Sequence, residues 1–466
     1  MSGLQELNEM PKAGIELNPQ AQGLRRGVLS PVEVLAQSIS TIAPSTSPTL
    51  TVPLVFALAG EGTALAYGCA TAVMFLVALS VALFARESAS PGSLYAYVHK
   101  ALPPVFGAVT AWALFFAYVM IAASCVGGFV NYAQVLLGAH LPAPVWALLV
   151  CVLAVVLAAR DVKLSARVML WTEAISVLLI LVVVVLTLWH YGARLDVAQL
   201  DLHAMSAEKV RLGVVLAMFS FVGFESATTL GAEARNPLRT IPRAVILSAV
   251  LAGAFFLLCV YGEALGFRLA GQNLGESTAP FRLLATRAGI GSVGVVIDLC
   301  VLVAMFSAVL GCVMASSRVL MLMAQSGLVD ARLGRTHARH QSPVAASLLA
   351  GVLVCVPAVL LLLQGVRGAD LYGYMGTLAV FGFLTVYFLS AIALAVYLRR
   401  HGRLRLAQSA LVLVVMLAML AALAGTLYPV PGGAYRFLPY VYLAYLVVGA
   451  LWFALRKPAS PCSVSE

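Results

Sequence analysis

Apolar residues run through this chain in blocks of about twenty, the length of helix that crosses a hydrocarbon core about 30 Å thick. A 19-residue hydropathy window finds twelve blocks. Six lie at 36–59, 63–85, 105–132, 143–159, 168–188 and 210–230, and six more at 244–265, 291–323, 344–363, 371–398, 407–427 and 437–455. The expected class is therefore an all-α polytopic membrane protein with twelve transmembrane helices. Connections are short, and only 191–209 and 266–290 have any size.

Two blocks are interrupted by polar and helix-breaking residues, and both open a run of five. The first carries APSTSPTLTVP, in which Pro44, Pro48 and Pro53 are interleaved with Ser45, Thr46, Ser47, Thr49 and Thr51. Each proline deletes an amide donor and frees a carbonyl one turn earlier. The sixth carries FSFVGFESATTLGAE, where Gly223 and Gly231 bracket Glu225, Ser226, Thr228 and Thr229. Backbone disruption at membrane depth is tolerated where it lines a cavity. One interrupted helix in each of two five-span units, which an odd span number forces to run oppositely, is the pattern of an inverted-repeat transporter with a midplane site. Unwound amides and carbonyls together suit a zwitterion such as an amino acid. The competing reading is a pair of kinked or closely packed helices with no ligand.

Composition agrees with a membrane chain: 62% of residues are apolar and 10% charged, against about a quarter charged in soluble domains. Lys and Arg exceed Asp and Glu by 29 to 19. Twelve spans with the N-terminus inside put twenty of those basic residues on the cytoplasmic side and eight outside, as the positive-inside rule requires. The basic balance therefore calls for membrane lipid and no nucleic acid as partner. The expected organisation is a cytoplasmic tail 1–30, a transport core 31–400 with halves 31–190 and 205–400, helices eleven and twelve at 401–457, and a cytoplasmic tail 458–466. The N-terminal stretch has no apolar segment of a cleavable signal, so a multi-pass protein of the cell membrane is expected. The eight cysteines show no metal-ligand spacing and read as packing residues. No metal, cofactor or disulfide is expected.

The run 221–245, FVGFESATTLGAEARNPLRTIPRAV, resembles the sixth span and following loop of the amino acid, polyamine and organocation transporter superfamily, including Asn236, Pro237, Arg239, Ile241, Pro242 and Arg243. PGSLYAY at 91–97, followed by His99 and Lys100 in the loop between spans two and three, is a second match. The resemblance covers the first ten spans. It implies a LeuT-like five-plus-five inverted repeat with two helices outside it, and transport of amino acids or related amines. In the family, small residues at the break of helix one offer amides to the substrate carboxylate. The equivalent positions here are Thr46, Ser47 and Pro48; Ser47 matches, whereas Pro48 removes a donor that the hydroxyls of Ser45, Thr46 or Thr49 would replace. SFVGFES is similar to arginine/agmatine-type exchangers, whose closing aromatic corresponds to Phe219. The implied substrate set is Ser45, Thr46, Ser47, Thr49, Phe219, Ser220, Phe221 and Gly223.

Ionisable groups at membrane depth are costly and need a reason. Glu225 at the break of span six reads equally as a proton or ammonium partner and as a structural acceptor, and for Glu173 in span five the structural reading leads. Glu233 is a partner for Arg235 or Arg243, and Asp298 near the outer end of span eight is expected to be solvated or capped. Some proton-coupled relatives carry a lysine in span five where this chain has Ser176. A sodium site would use hydroxyls of span eight, Ser307, Ser316 or Ser317. The co-ion is thus open between proton and sodium, with proton-coupled uptake or exchange leading. Aromatics of spans three (Phe115, Phe116, Tyr118) and ten (Tyr372, Tyr374, Phe381, Phe383, Tyr387) read first as packing. No phosphate-binding loop GxxxxGK[ST] occurs, which removes primary pumps, and the histidines sit at span ends or in loops, which removes a membrane enzyme. A major-facilitator carrier and a channel are the remaining rivals.

Overall fold

A computed structural model describes residues 29–87, 93–138, 140–160, 166–190, 196, 199, 201, 205–230, 233–335, 343–428 and 432–455. The two tails, apart from Leu29 and Ser30, lie outside these residues, as do Pro91, Gly92, Gly231 and Cys462. The described chain is helical, with one isolated bridge between Leu29 and Ala234. Among the described residues, ten helical stretches are long and apolar enough to cross a membrane, and a shorter apolar helix covers Ala143–Ala159.

The first helix, α1 (Pro31–Ile42), starts as its sequence dictates. Ser30 and Glu33 cap one another's backbone amides, and Pro31 sits where no amide partner is needed. It ends at Ala43, forced out of the helical region ahead of Pro44 and left-handed at φ 48°. A π-helical turn, Ser47–Thr51, leads into α2 (Val52–Ala59). Pro53 cannot donate to the carbonyl of Thr49, and Tyr132 supplies the missing hydrogen bond through its hydroxyl at 3.1 Å.

After α3 (Thr63–Glu87), residues 93–101 form a short helix α4 (Ser93–Ala101). This corrects the expected loop: nine residues are too few to register in a transmembrane window, yet the helix buries Leu94, Tyr97 and Val98 and stacks Tyr97 on Phe84, 4.4 Å between ring centres. There follow α5 (Pro104–Leu137), α6 (Ala143–Ala159), α7 (Ala166–His190) and α8 (Ala207–Phe219). The chain breaks at Ser220–Gly223 and resumes as a 3₁₀ segment, Phe224–Leu230. The remaining helices are α9 (Pro237–Leu269), α10 (Pro280–Arg287), α11 (Gly291–Gln325), α12 (Val344–Leu363), α13 (Gly368–Arg400), α14 (Leu406–Leu427) and α15 (Leu438–Leu455). With 33 to 35 residues, α5, α9, α11 and α13 outrun the hydrocarbon core, which is why hydropathy alone places their ends too far inward.

Polar and small residues are packed inside together with large aromatics such as Phe256 and Phe281, while the outer faces of the helices carry exposed aliphatic side chains. Leu148 and Val152 of α6 and Leu413 and Leu417 of α14 are more than half exposed. Inside, α5 and α13 cross almost backbone to backbone: a Cβ on Gly127 would stand 2.6 Å from the Gly368 carbonyl, the small-residue packing that membrane interiors favour. The last helix is fixed by Trp112 of α5, whose ring stacks on Tyr445 at 4.5 Å while its Nε1 donates to the Tyr445 carbonyl.

Two ion-pair groups gather at the helix ends opposite Pro31. Arg268 pairs with Glu61 and Asp196, joining the α2–α3 turn, the α7–α8 connection and the end of α9. Arg282 of α10 donates from Nε to Asp298 at 2.6 Å and from Nη1 to the Val135 carbonyl at 3.1 Å. Asp298 is therefore not solvated: α10 folds over its helix and buries it completely. Because removing one partner strands a buried charge, Arg282→Ala is expected to lower stability by about 3 kcal/mol, read as a lower unfolding temperature in detergent, while the exposed pair partner change Arg367→Ala leaves that temperature nearly unchanged.

Candidate substrate site

The two breaks meet. Gly223 adopts φ +115°, and a Cβ there would stand 2.8 Å from the Thr41 carbonyl and 3.0 Å from the Ile42 amide. Only a glycine lets the broken turns of the first and sixth spans approach so closely. Ser38 of α1 donates to the Phe224 carbonyl at 2.9 Å and to Ser248 of α9 at 3.1 Å. At the ends of the two broken helices the backbone of Leu29 pairs with Glu233 and Arg235, each at 2.9 Å.

Each break leaves an amide that a buried carboxylate satisfies. Glu173 of α7 accepts from Ser45 twice, from the amide to Oε1 at 2.6 Å and from the hydroxyl to Oε2 at 3.0 Å. Glu225 accepts from the Gly223 amide and from the Tyr387 hydroxyl of α13, both at 3.1 Å to Oε2. These pairings give both acids the reason that membrane depth demands.

Between the breaks lies a cavity of about 400 Å³, walled by both broken helices and by α5, α7, α11 and α13. Of the residues singled out in the sequence, Thr46, Ser47, Phe219, Gly223, Glu173 and Glu225 line it. Five do not. Ser45 stands behind the wall holding Glu173; Thr49 turns its hydroxyl back to the Ser45 and Thr46 carbonyls. Ser220 bonds Tyr67 at 3.0 Å, and Phe221 packs edge-on against Phe256, 5.2 Å between ring centres. Ser176 is buried one turn from Glu173, its hydroxyl without a partner among the described residues.

Several wall residues carried no site assignment in the sequence. Tyr118, Tyr372 and Phe383 are aromatics read as packing that face the cavity, and Cys125 and Cys312, also read as packing, line it. Phe115, Phe116 and Phe381 do pack, against Trp112 and Tyr442, and Tyr374 meets Tyr435. The span-eight hydroxyls Ser307, Ser316 and Ser317 each donate to a carbonyl of their own helix, the habit of hydroxyls on membrane helices. Glu263 of α9 went unnoticed because fifteen apolar neighbours mask one acid in a hydropathy window; it is wholly buried, and neither carboxylate oxygen has a partner among the described residues.

The cavity is one-sided. Gln37 and Thr41 before the first break, Ser226 and Thr229 after the second, and Ala315 of α11 all stand towards the ends at which α1 begins and α11 finishes. In the other direction Phe219 meets Tyr372 edge to face at 5.5 Å, and Tyr372 bonds Thr51 at 3.0 Å. Among the described residues, the lining includes two carboxylates and no Lys, Arg or His.

The sequence profile of the amino acid permease family matches residues 34–460, nearly the whole of this chain. The chain belongs to that family. It is similar to a branched-chain amino acid permease of Lactococcus lactis subsp. cremoris, 27% identical over 356 residues that make up 71% of this chain and 75% of the relative. Human cationic amino acid transporter 4 is 26% identical over 394 residues, 77% of this chain and 59% of the relative. A low-affinity putrescine importer of Escherichia coli is 26% identical over 205 residues, 42% and 44% of the two chains. The permease is thus a multi-pass membrane protein of a transporter family, and amino acid transport is its activity.

Proposed function

We propose that this permease is a secondary transporter that moves amino acids or related amines across the cell membrane by alternating access. The cavity between the two broken helices is its substrate site. The observation that carries this reading is the junction of Gly223 with Thr41, which sets two interrupted backbones and their polar groups against one cavity of about 400 Å³. Thr46, Ser47, Phe219 and Gly223 contact substrate from the cavity wall, with Ser45, Thr49, Ser220 and Phe221 supporting them. The Phe219–Tyr372 contact is the closed gate of this conformation, and the side of Gln37 and Thr229 is the open one.

Counting Pro31–Glu87 as two crossings joined at Gly60, and Ala143–Ala159 as one, turns the ten apolar stretches into twelve spans. The core 31–400 then divides into halves 31–190 and 205–400, each opening with a broken helix, as in a LeuT-like five-plus-five repeat, with 401–457 outside it. Basic residues gather at the side of α1's start, so that side and both tails, 1–30 and 458–466, are cytoplasmic and the cavity faces inward. The substrates in the relatives' names, branched-chain amino acids, cationic amino acids and putrescine, bound the range of cargo.

For coupling, proton-linked uptake or exchange is preferred to sodium symport, since the hydroxyls of α11 are engaged with their own helix while Glu225 faces the cavity at the break. Uptake of labelled leucine and arginine into vesicles holding purified protein tests the function. The expected result is saturable uptake stimulated by amino acid on the opposite side; unsaturable flux at channel rates would contradict a carrier. Glu225→Gln is expected to flatten the dependence of that uptake on pH. An unchanged profile would leave Glu225 as an acceptor for Gly223 and Tyr387 alone.

A further inference from the structure

We infer that Glu173 is an internal stand-in for the substrate's carboxylate, occupying the carboxylate-binding donors of the first break until an amino acid displaces it. The inference rests on the cavity being the substrate site. Ser45 presents an amide and a hydroxyl side by side, and a carboxylate with one oxygen on each is already what they hold, at 2.6 and 3.0 Å. Such a donor pair, gripping a charged acceptor, is the strong form of hydrogen bonding.

Among the described lining residues none is basic. Ser226 has a hydroxyl without a partner among the described residues, but its amide is spent on the Gly223 carbonyl at 3.0 Å, so it offers a single donor and not a pair. Thr41, Thr46, Thr229 and Ser307 spend their hydroxyl protons on carbonyls of their own turns. The Gly223 amide is held by Glu225, which sits two residues away and is pinned a second time by Tyr387. Glu173 differs in two ways. It reaches the break from another helix, 128 positions along the chain, so a change of its own side-chain rotamer releases Ser45 without moving the broken backbone. It also faces the cavity itself, with Ser45 buried directly behind it, so a carboxylate arriving there reaches those donors only as Glu173 turns away. Glu173 thereby selects among substrates: a solute with a carboxylate must compete with it, whereas an amine lacking one need not.

Matched ligand pairs that differ by that one group provide the test: leucine with isoamylamine, and arginine with agmatine, titrated onto the full-length protein in detergent. Glu173→Gln is expected to tighten the amino acid of whichever pair binds by about tenfold, the share of one charge-assisted hydrogen bond no longer contested, and to leave the amine unchanged. Glu173→Asp, which keeps the acid but withdraws it by a methylene, should move the amino acid in the same direction by less, and it serves if the Gln variant does not fold. Equal changes in both members of a pair, no change, or a weaker amino acid would overturn the inference and leave Glu173 as a clamp on the break. That failure is distinct from failure of the site: amino acid binding that ignores Phe219→Ala would remove the cavity as the substrate site altogether.

Discussion

Gly223→Ala is expected to abolish transport and to destabilise the protein through backbone strain and a backbone clash together. The φ of +115° at this position costs an alanine about 1–3 kcal/mol in backbone strain. Its Cβ would then stand 2.8 Å from a carbonyl oxygen, that of Thr41, and 3.0 Å from the Ile42 amide, backbone atoms that no rotamer change can move. The first and sixth spans would have to separate at the point where they enclose the cavity. Gly402 provides the control: it too has positive φ, +65°, but nothing lies within 4 Å of its Cβ position. Gly402→Asn, a residue that tolerates the left-handed region, should leave both the unfolding temperature in detergent and vesicle uptake near those of the parent. A Gly223→Ala protein with parental uptake would show that the two breaks need not touch.

Phe219→Ala should raise the substrate constant for uptake by tenfold or more. The ring forms part of the cavity wall, meets Tyr372 edge to face at 5.5 Å and lies directly over Gly376. Truncating it removes apolar contact with bound solute, and with it the lid between the cavity and the far side. Edge-to-face contact adds about 0.5–1.5 kcal/mol to ordinary burial, and loss of the ring as a whole about 3 kcal/mol or more in a packed site. Phe219→Tyr keeps the ring and should keep most of the activity. Neighbouring Phe221→Leu, which perturbs only the packing on Phe256, should lower stability without moving the substrate constant.

Much of the fold was legible because lipid demands a minimum apolar length of every crossing, and the interruptions were legible because proline and glycine act on the backbone locally. Pro44 and Gly223 mark the two breaks within a residue. What lay beyond reach was contact between distant parts. No pattern in the sequence says that Glu173 reaches Ser45, because the partners are on different helices and a carboxylate at that position satisfies either a lipid-interface or a buried reading. Side-chain direction at the breaks was equally hidden. Helical periodicity fails where the helix unwinds, so Phe219 faces the cavity while Phe221, two residues on, faces Phe256, and Ser47 lines the wall that Ser45 stands behind. Of the two readings of Asp298, solvated or capped, the solvated one fails for a related reason: its burial is created by α10, an eight-residue helix whose position over α11 is a tertiary fact. The cysteines show the same limit, since Cys125 and Cys312 are cavity residues in an apolar context that reads as packing.

Cys312 gives the most direct measurement of the central claim, that a small polar solute binds between the two broken helices. It lines the cavity and is partly exposed. In a variant that retains Cys312 as its one thiol and still transports, labelling by a small maleimide applied from the side of Thr41 and Thr229 should be slowed by a transported amino acid, with a half-effect at the concentration that half-saturates uptake. A labelling rate that no transported amino acid alters would contradict the account.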